Sequence, residues 1–143
     1  MFYGKHSHKI DAKNRLILPS DYRKELGERF FVMCGYNRSQ CLYIYNEESF
    51  SALKAKLEAL PDANGGIDLK RFIFSNTVKI EIEDGAPYRF VIPPELKKFA
   101  SLDKDAVILG ISNKLEIWDS KAYEVENTPN IKSIAELSDS FNI

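Results

Sequence analysis

The segment Arg15-Leu-Ile-Leu-Pro19 recurs in the second half of the chain as Arg89-Phe-Val-Ile-Pro93. Each copy consists of an arginine, three apolar residues and a proline, and a short stretch typical of a helix follows each one. Ser20 is placed to cap the first of these helices, and Pro94 suits the first turn of the second. We interpret the recurrence as an internal duplication.

The duplication continues beyond this motif. Two further apolar segments follow each short helix, at 30–35 and 41–45 in the first half and at 106–110 and 115–118 in the second. Each half therefore predicts the order strand, strand, short helix, strand, strand, helix. Because a unit of roughly 50 residues buries too little apolar surface to be stable alone, we expect the two units to share a core.

These elements predict an α+β fold with a small barrel or an interleaved sheet, since β-branched and aromatic residues dominate the strands and the helices are short. Connecting helices are predicted at 47–60 and 67–76. The predicted parts of the chain are a first unit at 1–52, connecting helices at 53–76, a second unit at 77–125 and an acidic C-terminal tail at 126–143.

An apolar stripe at helical spacing runs through that tail. It consists of Ile131, Ile134, Leu137 and Phe141. The stripe either packs on a neighbouring molecule or belongs to a loose tail, and the sequence leaves both alternatives open.

The overall charge hides an asymmetry. The chain of 143 residues has a net charge of −1, and a near-neutral balance argues against a dedicated nucleic-acid-binding domain. Residues 1–24, however, carry six basic and two acidic side chains, so that the rest of the chain is acidic. The basic N-terminal segment of one copy and the acidic C-terminal part of another would attract each other as readily as either would attract a ligand.

Several classes of protein are excluded by what the sequence lacks. No apolar run is long enough to cross a membrane and the first residues do not resemble a secretion signal, so we expect a cytoplasmic protein without a membrane partner. Cys34 and Cys41 are expected to remain free thiols. They form no compact zinc-binding spacing with His6 and His8, and no glycine-rich phosphate loop occurs. We therefore expect no enzyme, no metal, no cofactor and no small-molecule substrate.

The segment Asp11-Ala-Lys-Asn-Arg15 is predicted to form the turn of a hairpin, because apolar residues flank it and Asn14 tolerates a left-handed backbone. Asp11 and Arg15 can then pair. In one interpretation the pair is an ordinary surface salt bridge. In the other, Asp11 orients Arg15 within a cationic edge suited to phosphates and base edges. That edge would consist of Lys5, Lys9, Lys13, Asn14 and Arg15.

The combination of Met1-Phe-Tyr-Gly4, the Asp11-x-x-x-Arg15 signature, Trp118-Asp119 and the duplication resembles the bacterial MraZ family over roughly residues 1–125. The resemblance implies two tandem AbrB/SpoVT-like swapped-hairpin units in one chain. It further implies a transcriptional regulator that assembles into a ring of about eight subunits. Family members bind short direct repeats of double-stranded DNA upstream of the division and cell-wall gene cluster, which implies association with the nucleoid.

By the same resemblance, Lys13, Asn14 and Arg15 contact DNA and Asp11 orients the turn. Many relatives have glycine where this chain has Asn14. The second copy departs further, because Asp84-Gly-Ala-Pro-Tyr-Arg89 contains one additional residue and a proline. Asp84 is the expected counterpart of the orienting acid, and Arg89 is expected to reach phosphate.

A second function remains open. AbrB-like units also serve as antitoxins whose tails wrap a partner protein, and the acidic, stripe-bearing tail would suit such a protein-interaction module. The duplication favours the regulator, since antitoxins of this type are usually short chains with a single unit.

Overall fold

A computed structural model describes residues 1–127 and 131–143, and residues 128–130 of the predicted tail lie outside the described residues. The strands are β1 (Lys5–Lys9), β2 (Arg15–Ile17), β3 (Arg29–Cys34), β4 (Leu42–Asn46), β5 (Thr77–Glu81), β6 (Arg89–Val91), β7 (Asp105–Ile111) and β8 (Lys114–Asp119). The helices are α1 (Arg23–Leu26), α2 (Glu47–Glu58), α3 (Gly66–Ser75), α4 (Pro94–Phe99), α5 (Ser120–Asn127) and α6 (Ile131–Ser140). The predicted α+β class and the repeated order of elements are confirmed.

The two halves are interleaved. Strands β1, β7, β8, β4, β3 and β5 form one antiparallel sheet in that order, while β2 and β6 form a separate two-stranded ribbon. The first strand of each half therefore pairs with a strand of the other half, β1 with β7 and β5 with β3. The second strands, β2 and β6, pair with each other. This exchange of strands is the swapped-hairpin arrangement that the family resemblance implied.

The main core lies between the large sheet and the ribbon. Leu16 of β2 and Phe90 of β6 pair in the ribbon and are both buried, and Phe90 packs edge-on against Phe30 of β3. Leu96 of α4 and Leu26 of α1 belong to the same cluster. Since residues of both halves contribute throughout, the predicted shared core is confirmed.

A second cluster, which the sequence did not predict, occupies the opposite face of the large sheet. Helices α2 and α3 bring Phe50, Leu57 and Ile73 against Tyr43 of β4 and Trp118 of β8. Successive residues of a strand point to opposite faces. Strands β4 and β7 are therefore apolar almost throughout, because both of their faces are covered.

The two cysteines illustrate this alternation. Cys34 packs in the cluster shared with the ribbon, whereas Cys41 packs in the cluster beneath the helices. Both thiols are buried and free, and burial raises the pKa of each. Their positions on opposite faces of one sheet keep the side chains apart although they are near in sequence.

The prolines of the repeated motif begin the short helices. Pro19 and Pro93 occupy the cap positions with similar extended backbones, and α4 starts at Pro94 as predicted. The predicted capping role of Ser20 is wrong, because Pro19 occupies the N-cap position and Ser20 is already the first residue of a 3₁₀ turn that leads into α1. Gly27, with a φ of 76°, ends α1.

Helix α6 exposes the apolar stripe of the tail. Ile134 and Leu137 are about half exposed, and Ile131 and Phe141 are more exposed still. The helix contributes no residue to either core cluster. The helical spacing predicted for the tail is thus confirmed. Neither core cluster of the chain covers the stripe.

Candidate nucleic-acid interface

The first turn is built around one carboxylate. Oδ1 of Asp11 accepts hydrogen bonds from the backbone N–H groups of Lys13 (2.9 Å) and Arg15 (2.8 Å), and Oδ2 accepts one from Nε of Arg15 at 2.6 Å. Asn14, at the apex, adopts a φ of 59°. This is the left-handed conformation that asparagine tolerates better than most residues. The local pairing of Asp11 with Arg15 is therefore present in the structure.

These hydrogen bonds lower the pKa of Asp11. The backbone N–H of Arg15 has the largest effect, a smaller desolvation cost opposes it, and the Arg15 side chain and the Lys13 N–H reinforce it. The carboxylate consequently stays ionised. Arg15 uses only Nε for this contact, which leaves its two terminal nitrogens available as a planar pair of donors.

The remaining predicted cations of the first unit are less closely grouped. The ammonium of Lys13 has no partner in the part of the chain that the structure describes. Lys9 lies on β1 and forms an exposed ion pair with Asp105 at 3.5 Å. Lys5, near the far end of the same strand, lies 5.9 Å from the centre of the Tyr123 ring. The structure thus brings Lys13, Asn14 and Arg15 together in one turn. Lys9 and Lys5 instead lie against Asp105 and Tyr123 of the second unit.

The second turn has a different construction. The backbone N–H of Ala86 binds the carbonyl of Glu83, and Pro87 offers no N–H. Within residues 1–127 and 131–143, Asp84 and Arg89 form no ion pair. The carboxylate that clamps the first turn therefore has no structural equivalent in the second, because Pro87 lacks an N–H and the backbone N–H of Arg89 donates to the carbonyl of Pro87 instead.

Arg15 and Arg89 nevertheless share one surface. The ribbon pairs Arg15 with Val91 and Ile17 with Arg89, so that all four side chains lie on its outer face, opposite the buried Leu16 and Phe90. Arg15, Arg89 and Val91 also line a cleft of about 460 Å³ beside β5. The two arginines are diagonal neighbours across a ribbon of the width that fits a DNA groove.

Each turn also rests on the short helix of the other unit. Lys97 of α4 donates a hydrogen bond from Nζ to Oδ1 of Asn14 at 2.7 Å. At the second turn, the guanidinium of Arg23 lies 4.9 Å from the centre of the Tyr88 ring. Sequence reasoning missed both contacts, although the duplication contained the signal: Lys97 and Arg23 each follow the motif proline by the same interval.

The described residues give little support for metal binding, for a second site for polyanions or for a membrane-spanning helix. His6 and His8 lie 6.4 Å apart between ring centres, and burial, followed by the nearby His6, lowers the pKa of His8. Among the described residues, no group of three or more potential ligands could hold a metal ion. A cleft of about 630 Å³ near α1 and α2 is lined by seven carboxylates and two basic residues, a charge that repels polyanions. No helix within the described ranges is long and apolar enough to span a membrane.

The fold and the turn define a class, namely tandem swapped-hairpin proteins in which a carboxylate orients an arginine at a hairpin turn. The comparisons with known proteins then identify the family. The family described as "MraZ protein, putative antitoxin-like" matches residues 1–66 and 73–129. The chain belongs to the MraZ family.

Curated relatives match over most of their length. A protein of Acetivibrio thermocellus is 37% identical over 140 residues, which cover 95% of each chain. One of Clostridium tetani is 40% identical over 132 residues, which cover 92% of this chain and 90% of the relative. One of Desulfitobacterium hafniense is 39% identical over 122 residues, covering 82% and 80%. Each of these relatives is named a transcriptional regulator.

Proposed function

We propose that this chain is a sequence-specific transcriptional regulator that binds double-stranded DNA through the first turn. The proposal rests on the three hydrogen bonds that Asp11 accepts from Lys13 and Arg15, which together we call the clamp. Asp11 holds the guanidinium through Nε and leaves the terminal nitrogens without a partner among the described residues, and Lys13 is exposed beside it. Guanidinium and ammonium groups held in this way suit phosphate oxygens and the acceptor atoms of base edges.

The proposed assembly is a ring of about eight subunits that recognises short direct repeats in the promoter of the division and cell-wall gene cluster. A subunit with a net charge of −1 offers few phosphate contacts. Linked subunits raise the effective concentration of each later contact, so that several weak turns together bind tightly. Copies related by rotation around a ring present their turns in the same sense, which matches direct repeats rather than a palindrome.

In this proposal the first unit spans residues 1–52 and the second spans 77–125, with connecting helices at 53–76 and a tail at 126–143. Lys5, Lys9 and Arg89 add phosphate contacts around the first turn. Asp84 does not orient Arg89 in the way that Asp11 orients Arg15. The protein acts in the cytoplasm at the nucleoid, and the function requires no cofactor and no catalytic residue.

The test is a gel shift on the DNA upstream of the chain's own gene, comparing the native protein with Arg15→Ala. We expect the variant to lose at least about tenfold in affinity, because a charge-assisted bidentate contact contributes more than an ordinary hydrogen bond. Arg71→Ala is the matched control. Arg71 is an exposed arginine of α3 whose one ion pair among the described residues is with Asp68, one turn away, and its loss should leave binding unchanged.

Gel filtration of the same proteins completes the test. Loss of the shift by Arg15→Ala with an unchanged assembly size supports the proposal. Retained binding refutes the role of the turn, and equal losses for Arg15→Ala and Arg71→Ala would mean that only overall charge matters.

One observation favours a second candidate, an antitoxin-like protein-interaction module. The apolar stripe of α6 is exposed, as expected of a segment that a protein partner covers. Under this alternative, the neighbouring gene encodes a toxin that copurifies with the chain, and removal of residues 128–143 abolishes the complex without affecting DNA binding.

A further inference from the structure

We infer that Lys97, a residue of the second unit, is a positioning residue for the DNA-binding turn of the first unit. The inference rests on the proposed function, because it assigns a role at the same turn. Lys97 holds the side chain of Asn14 at the apex, so that the turn is completed only when both units are folded together.

The contacts of Asn14 come from both halves of the chain. Its backbone N–H donates to the carbonyl of Asp11 at 3.0 Å, within the turn itself. Its carbonyl accepts from the N–H of Ile92 at 2.8 Å, and its side-chain Oδ1 accepts from Nζ of Lys97 at 2.7 Å. Two of these three hydrogen bonds therefore cross between the units.

The contact with Lys97 determines which way the Asn14 amide faces. An ammonium group can only donate, so the amide oxygen must point to Lys97 and the amide nitrogen must point away from it. The side-chain donors left without a partner among the described residues of this turn are the Asn14 amide N–H groups, the Lys13 ammonium and the terminal nitrogens of Arg15. They complement the acceptor oxygens and nitrogens of DNA.

The duplication supplies an independent observation. Lys97 occupies the fourth position after Pro93, as Arg23 does after Pro19. Asn14 precedes the motif arginine of the first unit, as Tyr88 precedes that of the second. The contact of Arg23 with Tyr88 is thus the counterpart of the contact of Lys97 with Asn14. In both units, therefore, the turn is contacted by a basic residue from the short helix of the other unit.

The neighbouring Lys98 provides a matched control. It lies on the same helix and has the same charge, but it is exposed and its ammonium forms no hydrogen bond or ion pair with the described residues. Replacing either lysine by methionine retains the aliphatic chain and removes one positive charge. A difference between the two variants therefore reports the contact with Asn14 and not the loss of charge.

The first experiment measures affinity for the upstream duplex. We expect Lys97→Met to weaken binding about tenfold and Lys97→Arg to recover most of the loss, in proportion to a charge-assisted hydrogen bond. Lys98→Met should change affinity by less than about twofold, as is usual for an exposed charge. If Lys97 acts through Asn14, Lys97→Met should have almost no further effect in a protein that already carries Asn14→Ala.

Equal losses for the two methionine variants would overturn the inference. So would an undiminished effect of Lys97→Met in the Asn14→Ala background, which would show that Lys97 binds phosphate directly.

The second experiment uses the free protein and separates this inference from the proposed function. In ¹⁵N–¹H correlation spectra, Lys97→Met should shift the side-chain NH₂ signals of Asn14 and the backbone signal of Arg15, whereas Lys98→Met should leave them in place. Unchanged Asn14 signals in Lys97→Met would refute the positioning contact. Failure of the native protein to bind the duplex, with the Asn14 signals shifted, would refute the proposed function alone.

Discussion

Arg15 and Arg89 occupy the same position in the repeated motif, yet only Arg15 is held by a carboxylate. The difference arises in the turn that precedes each of them. Asp11 reaches the backbone N–H groups of Lys13 and Arg15 as well as the Arg15 side chain. In the second turn, Pro87 has no N–H to donate, and the backbone N–H of Arg89 donates to the carbonyl of Pro87. The guanidinium of Arg15 is therefore held by a carboxylate, whereas that of Arg89 forms no ion pair among the described residues.

The clamp predicts an unusual titration of Asp11. Because hydrogen bonds stabilise its charged form, the carboxyl should titrate with a pKa below the ordinary value of 3.8. A lowered pKa in the folded state means that the contribution of the clamp is complete above the ordinary pKa and is lost as the pH falls through the folded-state value. NMR of the Asp11 side-chain carbon should show this midpoint, with the Nε signal of Arg15 changing at the same pH. A midpoint at or above 3.8 would contradict the clamp.

At the scale of the elements, the N-terminal segment is held against β7 by close backbone packing. The backbones of Phe2 and Ser112 exchange two hydrogen bonds of 2.8 Å, and the N–H of Gly110 binds the carbonyl of Gly4 at 2.9 Å. Phe2 is buried in the main core. A glycine is required at position 110 because the two backbones approach too closely for a side chain.

We expect Gly110→Ala to displace this segment. The new Cβ would lie 2.6 Å from Cα of Tyr3 and 2.7 Å from the carbonyl carbon of Phe2, so the backbone must move and Phe2 loses its packing. The expected cost is about 1–3 kcal/mol in the free energy of unfolding, measured with urea. Ser7→Ala, on the exposed side of β1, serves as the control. An unchanged midpoint for Gly110→Ala would show that the N-terminal segment contributes nothing to stability.

At the scale of the whole molecule, the interleaving places residues of both units in one core. The main core draws on β2 and α1 of the first unit and on β6 and α4 of the second. The only tryptophan, Trp118, lies in the second unit on the other face of the sheet. Fluorescence of Trp118 therefore reports whether a destabilising substitution in the first unit also lowers the stability of the second.

Leu16→Ala should destabilise the chain as a whole. Leu16 is completely buried, and its truncation should cost about 2–5 kcal/mol. Because the units share the core, the urea transitions followed by Trp118 fluorescence and by far-UV circular dichroism should shift together. The neighbouring Ile17 is 55% exposed, and Ile17→Ala should change stability by less than about 0.5 kcal/mol. A Trp118 transition that stays in place in Leu16→Ala would mean that the units unfold independently.

Local features could be predicted from the sequence. The order of elements followed from apolar periodicity, and the pairing of Asp11 with Arg15 followed from their positions across one short turn. Contacts between distant residues could not be predicted in this way. The duplication marks Lys97 and Arg23 as equivalent positions, but it does not indicate which residues they reach. The contact of Lys97 with Asn14 and the second cluster around Trp118 depend on how the strands cross between the units.

The amino-acid sequence by itself determined the duplication, the α+β class, the turn at residues 11–15 and the family to which the chain belongs. The turn and the class depend on neighbouring residues, whose hydrogen bonds and side-chain periodicity act over short distances along the chain. The duplication and the family are visible because they are repeated or shared patterns of residues, which need no knowledge of contacts. Only the tertiary structure decided that β1 pairs with β7, that the cysteines face opposite ways and that each turn rests on a helix of the other unit. Strand pairing brings together residues that are far apart in sequence, and the burial of a common core selects that pairing.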